Sequence, residues 1–310
     1  MSPPQPNAHL LRWATYAATA TALVLVVVKV AAWLLTDSVA LLSSTVDSLL
    51  DCGASLVNLL AVRQSLQPAD DDHRFGHGKA EPLAGMAQAA FVAGSGGLLL
   101  VQAVGRLTSP VEVRQGAVGI AVMVFAIIAT LALVGFQKYV IRRTTSVAIA
   151  ADSLHYTGDL LINGSVIVSI LLTIYLGWTW ADPLFAIGIA GFLMFNAWTI
   201  AHDSFDLLMD RELPAEDREQ IVALALAIPG VMNVHDLRTR SSGPQQFIQL
   251  HLTMDGQLPL IKAHAIGDQV EEAIRAAFPQ AEVIIHHDPS GLVEPAAHEV
   301  FPAPSPSSPP

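Results

Sequence analysis

Six long apolar runs fill about the first two-thirds of this 310-residue sequence. They cover roughly residues 10 to 34, 40 to 65, 82 to 106, 114 to 138, 147 to 175 and 183 to 207. An α-helix needs about 20 apolar residues to cross the hydrocarbon core of a bilayer, and each run is long enough. Only 14% of the residues are charged and the mean hydropathy is +0.49, whereas charged residues make up about a quarter of a soluble domain. The sequence therefore predicts a multi-pass α-helical membrane protein with six transmembrane helices.

The basic residues of the short connections set the expected orientation. Those on the side of the two termini are Arg12, Arg63, Arg74, Lys79, Lys138, Arg142 and Arg143, against Arg106 and Arg114 on the other side. Lys and Arg collect in cytoplasmic loops, so we expect both termini in the cytoplasm. The first run lacks the basic start of a signal peptide and is long enough to span, so we expect it to be the first transmembrane helix.

After Asp210 the composition changes to that of a small soluble domain. A helix starts near Pro214, two strands follow in "VMNVHDLRTR" and "FIQLHLTM", and a second helix, roughly 259 to 277, precedes the strand "AEVIIHH". In the second strand, alternation places Ile248, Leu250, Leu252 and Met254 on one face. The predicted order is α-β-β-α-β. The expected division is an N-terminal tail (1–9), a membrane domain (10–210), a cytosolic metal-binding domain (211–290) and a disordered Pro- and Ser-rich tail (291–310).

Charged residues within the apolar runs need an explanation, because a carboxylate at membrane depth costs roughly 3 kcal/mol on insertion scales. Asp47 and Asp51 are four residues apart in the second run, and His155 and Asp159 have the same spacing in the fifth. Each pair shares one helix face, so two helices can supply four ligands to one tetrahedral divalent cation. The alternatives are helix-end residues in water and polar contacts between helices.

Two other charged positions in the runs are read differently. Asp152 lies near the start of the fifth run, where a capping role is favoured over ligation. For Lys29, in the first run, three readings are open: pairing inside the bundle, snorkelling to the interface and a shifted span.

Two further groups of metal-ligand residues lie outside the runs. The loop "LQPADDDHRFGHGKAEPL" holds Asp70, His73 and His77, with Gly76 and Gly78 to let the backbone turn; the alternative is a solvated acidic loop. Five of the eleven histidines lie between residues 235 and 287. The candidate ligands there are His235, His251, His264, His286, His287 and Asp288, and this enrichment favours a metal site.

The sequence lacks the residues and motifs that several classes of function require. The single cysteine, Cys52, provides neither a disulfide framework nor a cysteine metal site. The net charge of −11 argues against nucleic acid as a partner, and the sequence contains no GxxxxGK[ST], GxSxG or HExxH segment.

A transporter driven by a gradient is favoured over a membrane-anchored metal sensor, since a mere anchor has no reason to bear the cost of paired aspartates. A membrane metalloenzyme would need an open metal position and a general base.

The segments "DSLLDCGASLVNLLAVRQSLQPADDDHRFGHGKAEPLA", "DSLHYTGDLLIN", "LLMDRELP", "HDLRTRSSGP", "FIQLHL" and "VIIHHDP" resemble the cation diffusion facilitator family over residues 10 to 290. The resemblance implies a homodimer in the bacterial cytoplasmic (inner) membrane, with six helices and a ferredoxin-like cytosolic domain in each subunit. It implies exchange of a divalent cation for protons, with Zn²⁺ first and Fe²⁺ or Cd²⁺ as alternatives. No enzymatic activity, nucleotide or nucleic acid is expected.

The resemblance also assigns residues by position. Asp47, Asp51, His155 and Asp159 correspond to the transport site, and Asp70, His73 and His77 to a loop site. In the cytosolic domain, one metal corresponds to His235, His251 and Asp288, and a second to His264, His286 and Asp288. Lys79 and Asp210 resemble a charge pair at the membrane surface that links the helices and holds the dimer. His287 stands where relatives carry Gln, a departure from the family pattern that bears on the surroundings of the cytosolic site and on the number of metal ions it holds.

Overall fold

The computed structural model describes residues 7–36, 39–108, 117–178, 180–243 and 245–291. The chain divides into two compact units, with the boundary between Leu208 and Met209. The first unit contains six helices: α1 Ala8–Thr36, α2 Val39–Ser65, α3 Ala80–Thr108, α4 Ala117–Thr144, α5 Val147–Leu176 and α6 Ala181–Leu208. The second contains α7 Ala215–Leu226, β1 Asn233–Ser242, β2 Gln245–Met254, α8 Leu260–Ala277 and β3 Ala281–Pro289.

The six helices of the first unit confirm the predicted transmembrane architecture. Among the described residues, α1, α2, α3, α4 and α6 are long and apolar enough to cross a membrane. Helix α5 has 30 residues, which is sufficient length, but it includes Asp152, His155, Asp159 and Asn163. Together with α2, helix α5 is one of the two helices that carry the predicted metal ligands.

The helix ends differ from the apolar runs in two places. Helix α4 continues to Thr144, so Lys138, Arg142 and Arg143 belong to its final turns and not to a loop. The reason is that basic residues at a helix C-terminus interact favourably with the last carbonyl groups. Helix α1 begins at Ala8, within the predicted tail, and Asn7 Nδ2 donates to the Arg143 carbonyl at 2.9 Å. Arg114 and the predicted disordered tail from residue 292 lie outside the described residues.

The second unit has the predicted α-β-β-α-β order. Its sheet has the strand order β1-β2-β3; β1 pairs antiparallel with β2, and β2 pairs parallel with β3 through the crossover that contains α8. The four residues that alternation places on one face of β2 are buried as predicted: Ile248, Leu250, Leu252 and Met254. They pack with Ile221 of α7 and with Val270 and Ile274 of α8. Both helices therefore cover one face of the sheet, and the histidine at position 251 lies on the other.

Strand β1 contains an irregularity that affects this second face. His235 pairs with His251 and Arg238 pairs with Gln249, so β1 uses one more residue than β2 over this stretch. Asp236, within the irregularity, has a φ of 46°, in the left-handed region. This bulge breaks the strict alternation of side chains, and it does so beside the cluster of histidines.

Candidate metal centres

Inside the helical unit, side chains of α2 and α5 meet in a compact acidic group. His155 Nε2 lies 3.0 Å from Asp51 Oδ1 and 3.7 Å from Asp159 Oδ2. One ligand atom from each of these three residues lies within 4.8 Å of the others. His155 is buried, with Phe91 against its ring edge and Tyr156 beside it. Within the described part of the chain, Nε2 has no partner in hydrogen-bond geometry, so this buried nitrogen is available to a metal ion.

Polar residues along one face of α2 position this helix against α5. Ser55 and Asn58 follow Asp51 by four and seven residues, so all three face the same neighbour. Ser55 Oγ is 2.7 Å from Tyr156 Oη, and Asn58 Nδ2 donates to the Ala148 carbonyl at 3.4 Å. Both contacts reach α5, which holds Asp51 at the level of His155.

Asp47 lies one turn before Asp51 on the same helix. Among the described residues, the group within 4.8 Å comprises Asp51, His155 and Asp159 and does not include Asp47. A fourth ligand from Asp47 therefore requires its carboxylate to move toward the other three.

The capping role expected for Asp152 is wrong. Helix α5 begins at Val147, and its first turn is capped by Ser146, whose Oγ accepts the Ile149 N–H at 3.2 Å. Asp152 is fully buried and accepts hydrogen bonds from Gln137 Nε2 at 2.6 Å and Gln88 Nε2 at 3.5 Å. The fifth apolar run begins before Asp152. The position of Asp152 in the sequence therefore does not show whether its side chain caps the helix or lies inside the bundle.

The predicted loop residues also come together. Asp70 Oδ1 accepts the His73 N–H at 2.6 Å, and His77 Nε2 lies 3.3 Å from Asp70 Oδ2. The backbone N–H of His73 lowers the pKa of the Asp70 carboxyl below its usual value, and both imidazoles act in the same direction. Gly76, with a φ of 75°, supplies the left-handed turn that brings His77 back. One ligand atom from each of Asp70, His73 and His77 lies within 4.8 Å of the others.

Three histidines form a row across the open face of the sheet in the second unit. His251 of β2 pairs in register with His235 of β1 and with His286 of β3. Asp288, two residues beyond His286, shares its face. Its carboxylate lies 2.8 Å from His251 Nδ1, 3.2 Å from His235 Nε2 and 3.1 Å from His286 Nε2. The sheet register therefore gathers residues that are up to 53 positions apart in sequence.

Comparison with known proteins decides the family. The cation efflux transmembrane domain matches residues 15–209, and the cation efflux protein cytoplasmic domain matches residues 213–290. The chain is 48% identical to the cation-efflux pump FieF of Klebsiella pneumoniae over 297 residues, which cover 96% of this chain and 98% of that protein. This chain belongs to the cation diffusion facilitator family. Being a member of this family of cation efflux transporters, it is a multi-span membrane transporter and not an enzyme.

The chain is also similar to a second cation-efflux pump and to one transporter domain of known structure. The cation-efflux pump FieF of Escherichia coli O1:K1 / APEC is 48% identical over 289 residues, covering 93% of this chain and 96% of that protein. The metal-bound C-terminal domain of the CzcD transporter from Thermotoga maritima is 29% identical, with a TM-score of 0.25, and covers 26% of this chain and 93% of that chain.

The residues that the family resemblance assigned to a second cytosolic metal lie on different elements of the fold. His286 contacts Asp288, but His264 lies on α8, where its Nε2 is 3.6 Å from Asp268 Oδ2. His264 is not part of the group formed by His235, His251 and Asp288. The role of His264 as a ligand stays a prediction.

His287 points away from the row of histidines. It pairs in register with Leu252, on the face covered by α8, and a Cβ on Gly267 would collide with its Nε2. This Nε2 is buried without a hydrogen-bond partner among the described residues. Burial lowers the pKa of the His287 ring, and the neighbouring His264 and His286 lower it further. His287 is therefore packed against α8, and both effects favour the uncharged form of its ring.

Asp236 is a neighbour of this cluster that sequence reasoning missed. Strict alternation would place it on the face opposite His235, but the bulge brings its Oδ2 to 3.6 Å from His251 Nε2. The same carboxylate accepts two hydrogen bonds from the Arg238 guanidinium, at 3.1 and 3.0 Å. Sequence alternation gave no signal for this contact.

Lys79 and Asp210, the predicted charge pair, fall in different units. Lys79 Nζ donates to the Leu208 carbonyl at 3.2 Å, at the end of α6. Asp210 Oδ2 lies 3.3 Å from Arg240 Nη1. Their pairing with each other stays a prediction from the family resemblance.

Proposed function

We propose that this transporter expels a divalent metal from the cytoplasm in exchange for protons, with Zn²⁺ as the first substrate and Fe²⁺ and Cd²⁺ as alternatives. The observation that carries the proposal is the group of Asp51, His155 and Asp159 inside the helical unit. Carboxylate and imidazole ligands suit zinc and ferrous iron alike. Asp47 is the fourth ligand of the proposed transport site, in line with the family resemblance.

Proton exchange follows from the charge of the same residues. When the metal leaves, closely spaced carboxylates repel one another in a poorly solvated site, and taking up a proton relieves that repulsion. A metal ion requires deprotonated ligands, so its binding releases protons. The two cargoes therefore compete for one set of atoms, which is the requirement for exchange.

The remaining clusters are proposed as accessory metal sites. Asp70, His73 and His77 form a loop site, and His235, His251, His264, His286 and Asp288 form a cytosolic regulatory site. The cytosolic donors fit zinc chemistry, since imidazole nitrogens surround a buried carboxylate. We further propose a homodimer in the bacterial inner membrane with both termini in the cytoplasm, supported by the family of the cytoplasmic domain. Lys79 and Asp210 link the helices in that dimer.

Flux into reconstituted vesicles tests the transport proposal. Vesicles loaded with a metal-sensitive dye receive Zn²⁺, Fe²⁺, Cd²⁺ or Mn²⁺ with and without a pH gradient. We expect the pH gradient to accelerate Zn²⁺ flux. We expect little Mn²⁺ flux under the same conditions. Flux that is insensitive to the pH gradient would contradict the exchange mechanism. Equal flux of all four ions would contradict the proposed selectivity.

A further inference from the structure

The ammonium group of Lys29 is held inside the helical bundle. Lys29 lies in α1, and its Nζ donates to Ser48 Oγ at 2.6 Å and to the Ser44 carbonyl at 3.2 Å. Both acceptors belong to α2. Of the three readings left open by the sequence, the structure selects pairing within the bundle, because the side chain reaches the neighbouring helix.

The point of attachment lies between two proposed ligands. Ser48 directly follows Asp47 and precedes Asp51 by three residues, less than one helical turn. The Ser48 contact therefore holds the Lys29 amine beside the turn of α2 that carries Asp47 and Asp51, two of the three carboxylates of the proposed transport site.

We propose that Lys29 is a built-in counter-charge of the transport site, one that limits metal affinity and so permits release of the cargo. The inference rests on the proposed function. Three carboxylates and one ammonium leave a net of two negative charges, which one divalent cation neutralises. Without the ammonium, the site would hold a divalent cation with one negative charge in excess.

This charge balance predicts opposite changes in binding and turnover. Lys29 stabilises the carboxylates while the site is empty and repels the metal when the site is filled. Removing its charge should therefore strengthen metal binding, at least about tenfold for a unit charge in a partly buried site. The same change should slow turnover, because release then starts from a more stable bound state. Loss of a merely structural contact would weaken binding and turnover together.

The test compares Lys29→Met with Lys29→Arg, which keeps the charge. KM and kcat for Zn²⁺ flux are measured in vesicles. Zn²⁺ binding to the full chain is measured by calorimetry in a background of Asp70→Ala, His251→Ala and Asp288→Ala, which removes the accessory sites. Thr19→Val is the matched control, because the Thr19 hydroxyl donates to the Thr15 carbonyl within α1. Should Lys29→Met not yield a folded protein, Lys29→Gln removes the charge and keeps a hydrogen-bond donor.

We expect Lys29→Met to lower both KM and Kd at least about tenfold and to reduce kcat, with Lys29→Arg and Thr19→Val close to wild type. Unchanged Kd, or weaker binding in Lys29→Met, would overturn the proposal. Absence of Zn²⁺ flux in the wild type would overturn the proposed function instead, and the binding comparison would still decide the role of Lys29.

Discussion

The proposed transport site and the cytosolic histidine row use the same two ligand types in opposite proportions. In the helical unit, one imidazole meets Asp51 and Asp159, with Asp47 one turn away. In the second unit, one carboxylate meets His235, His251 and His286. An acid-rich site inside the membrane is costly when empty and must be neutralised by metal, protons or a fixed cation. A site with one carboxylate among three imidazoles carries less negative charge when it is empty, which suits the proposed role of a regulator that follows metal concentration.

The largest effect should come from removing a transport-site carboxylate. Asp51→Ala or Asp159→Ala should reduce Zn²⁺ flux in vesicles at least about 100-fold, since each removes a charged ligand from a four-ligand site. The folded dimer should persist, because an apolar replacement suits the membrane better than a carboxylate does. Asp203→Asn, at an exposed position of α6, is the control and should transport normally. Wild-type flux in Asp51→Ala would place the transport site elsewhere.

The second effect is the pH dependence of binding at the acid-rich site. Metal binding requires deprotonated ligands, so Zn²⁺ affinity should rise with pH, by about tenfold per pH unit for each proton released. Calorimetry in buffers of different ionisation enthalpy measures the number released, with accessory sites removed as above. Zero protons released near neutral pH would refute exchange at this site.

A smaller effect is expected from the imidazole-rich site. His251→Ala with Asp288→Ala should change the metal dependence or rate of transport a few-fold and leave the order of preferred ions unchanged. The reason is that a ligand shifts an equilibrium between arrangements only by binding one of them more tightly. Flux curves and label distances between cytosolic domains are measured together. A changed ion preference at constant rate would show that these residues select cargo.

The smallest effect should come from His287. Because its ring lies on the face covered by α8, His287→Gln should change cytosolic Zn²⁺ affinity less than about twofold, whereas loss of a ligand such as His251 costs at least tenfold. Calorimetry on the full chain with Asp51→Ala and Asp70→Ala isolates the cytosolic site. A His287→Gln loss as large as that of His251→Ala would place His287 among the ligands.

The sequence by itself determined the two-part architecture and most candidate ligands. Six apolar runs predict six helices, because only long apolar segments can cross a bilayer. The four-residue spacing of Asp51 from Asp47, and of Asp159 from His155, defines helix faces with ligand chemistry. Alternation in β2 predicts which of its side chains form the core, since successive residues of a strand face opposite sides.

Only the tertiary structure decided which faces meet and how closely. Helix packing through Ser55 and Tyr156 brings Asp51 to His155 and leaves Asp47 one turn away. Helix packing also places Lys29 on α2 and buries Asp152 against Gln137. In the sheet, the bulge turns Asp236 toward His251, and the register sends His287 under α8. Sequence periodicity fixes a residue's face on its own element, but contacts between elements depend on packing and register, which local pattern does not encode.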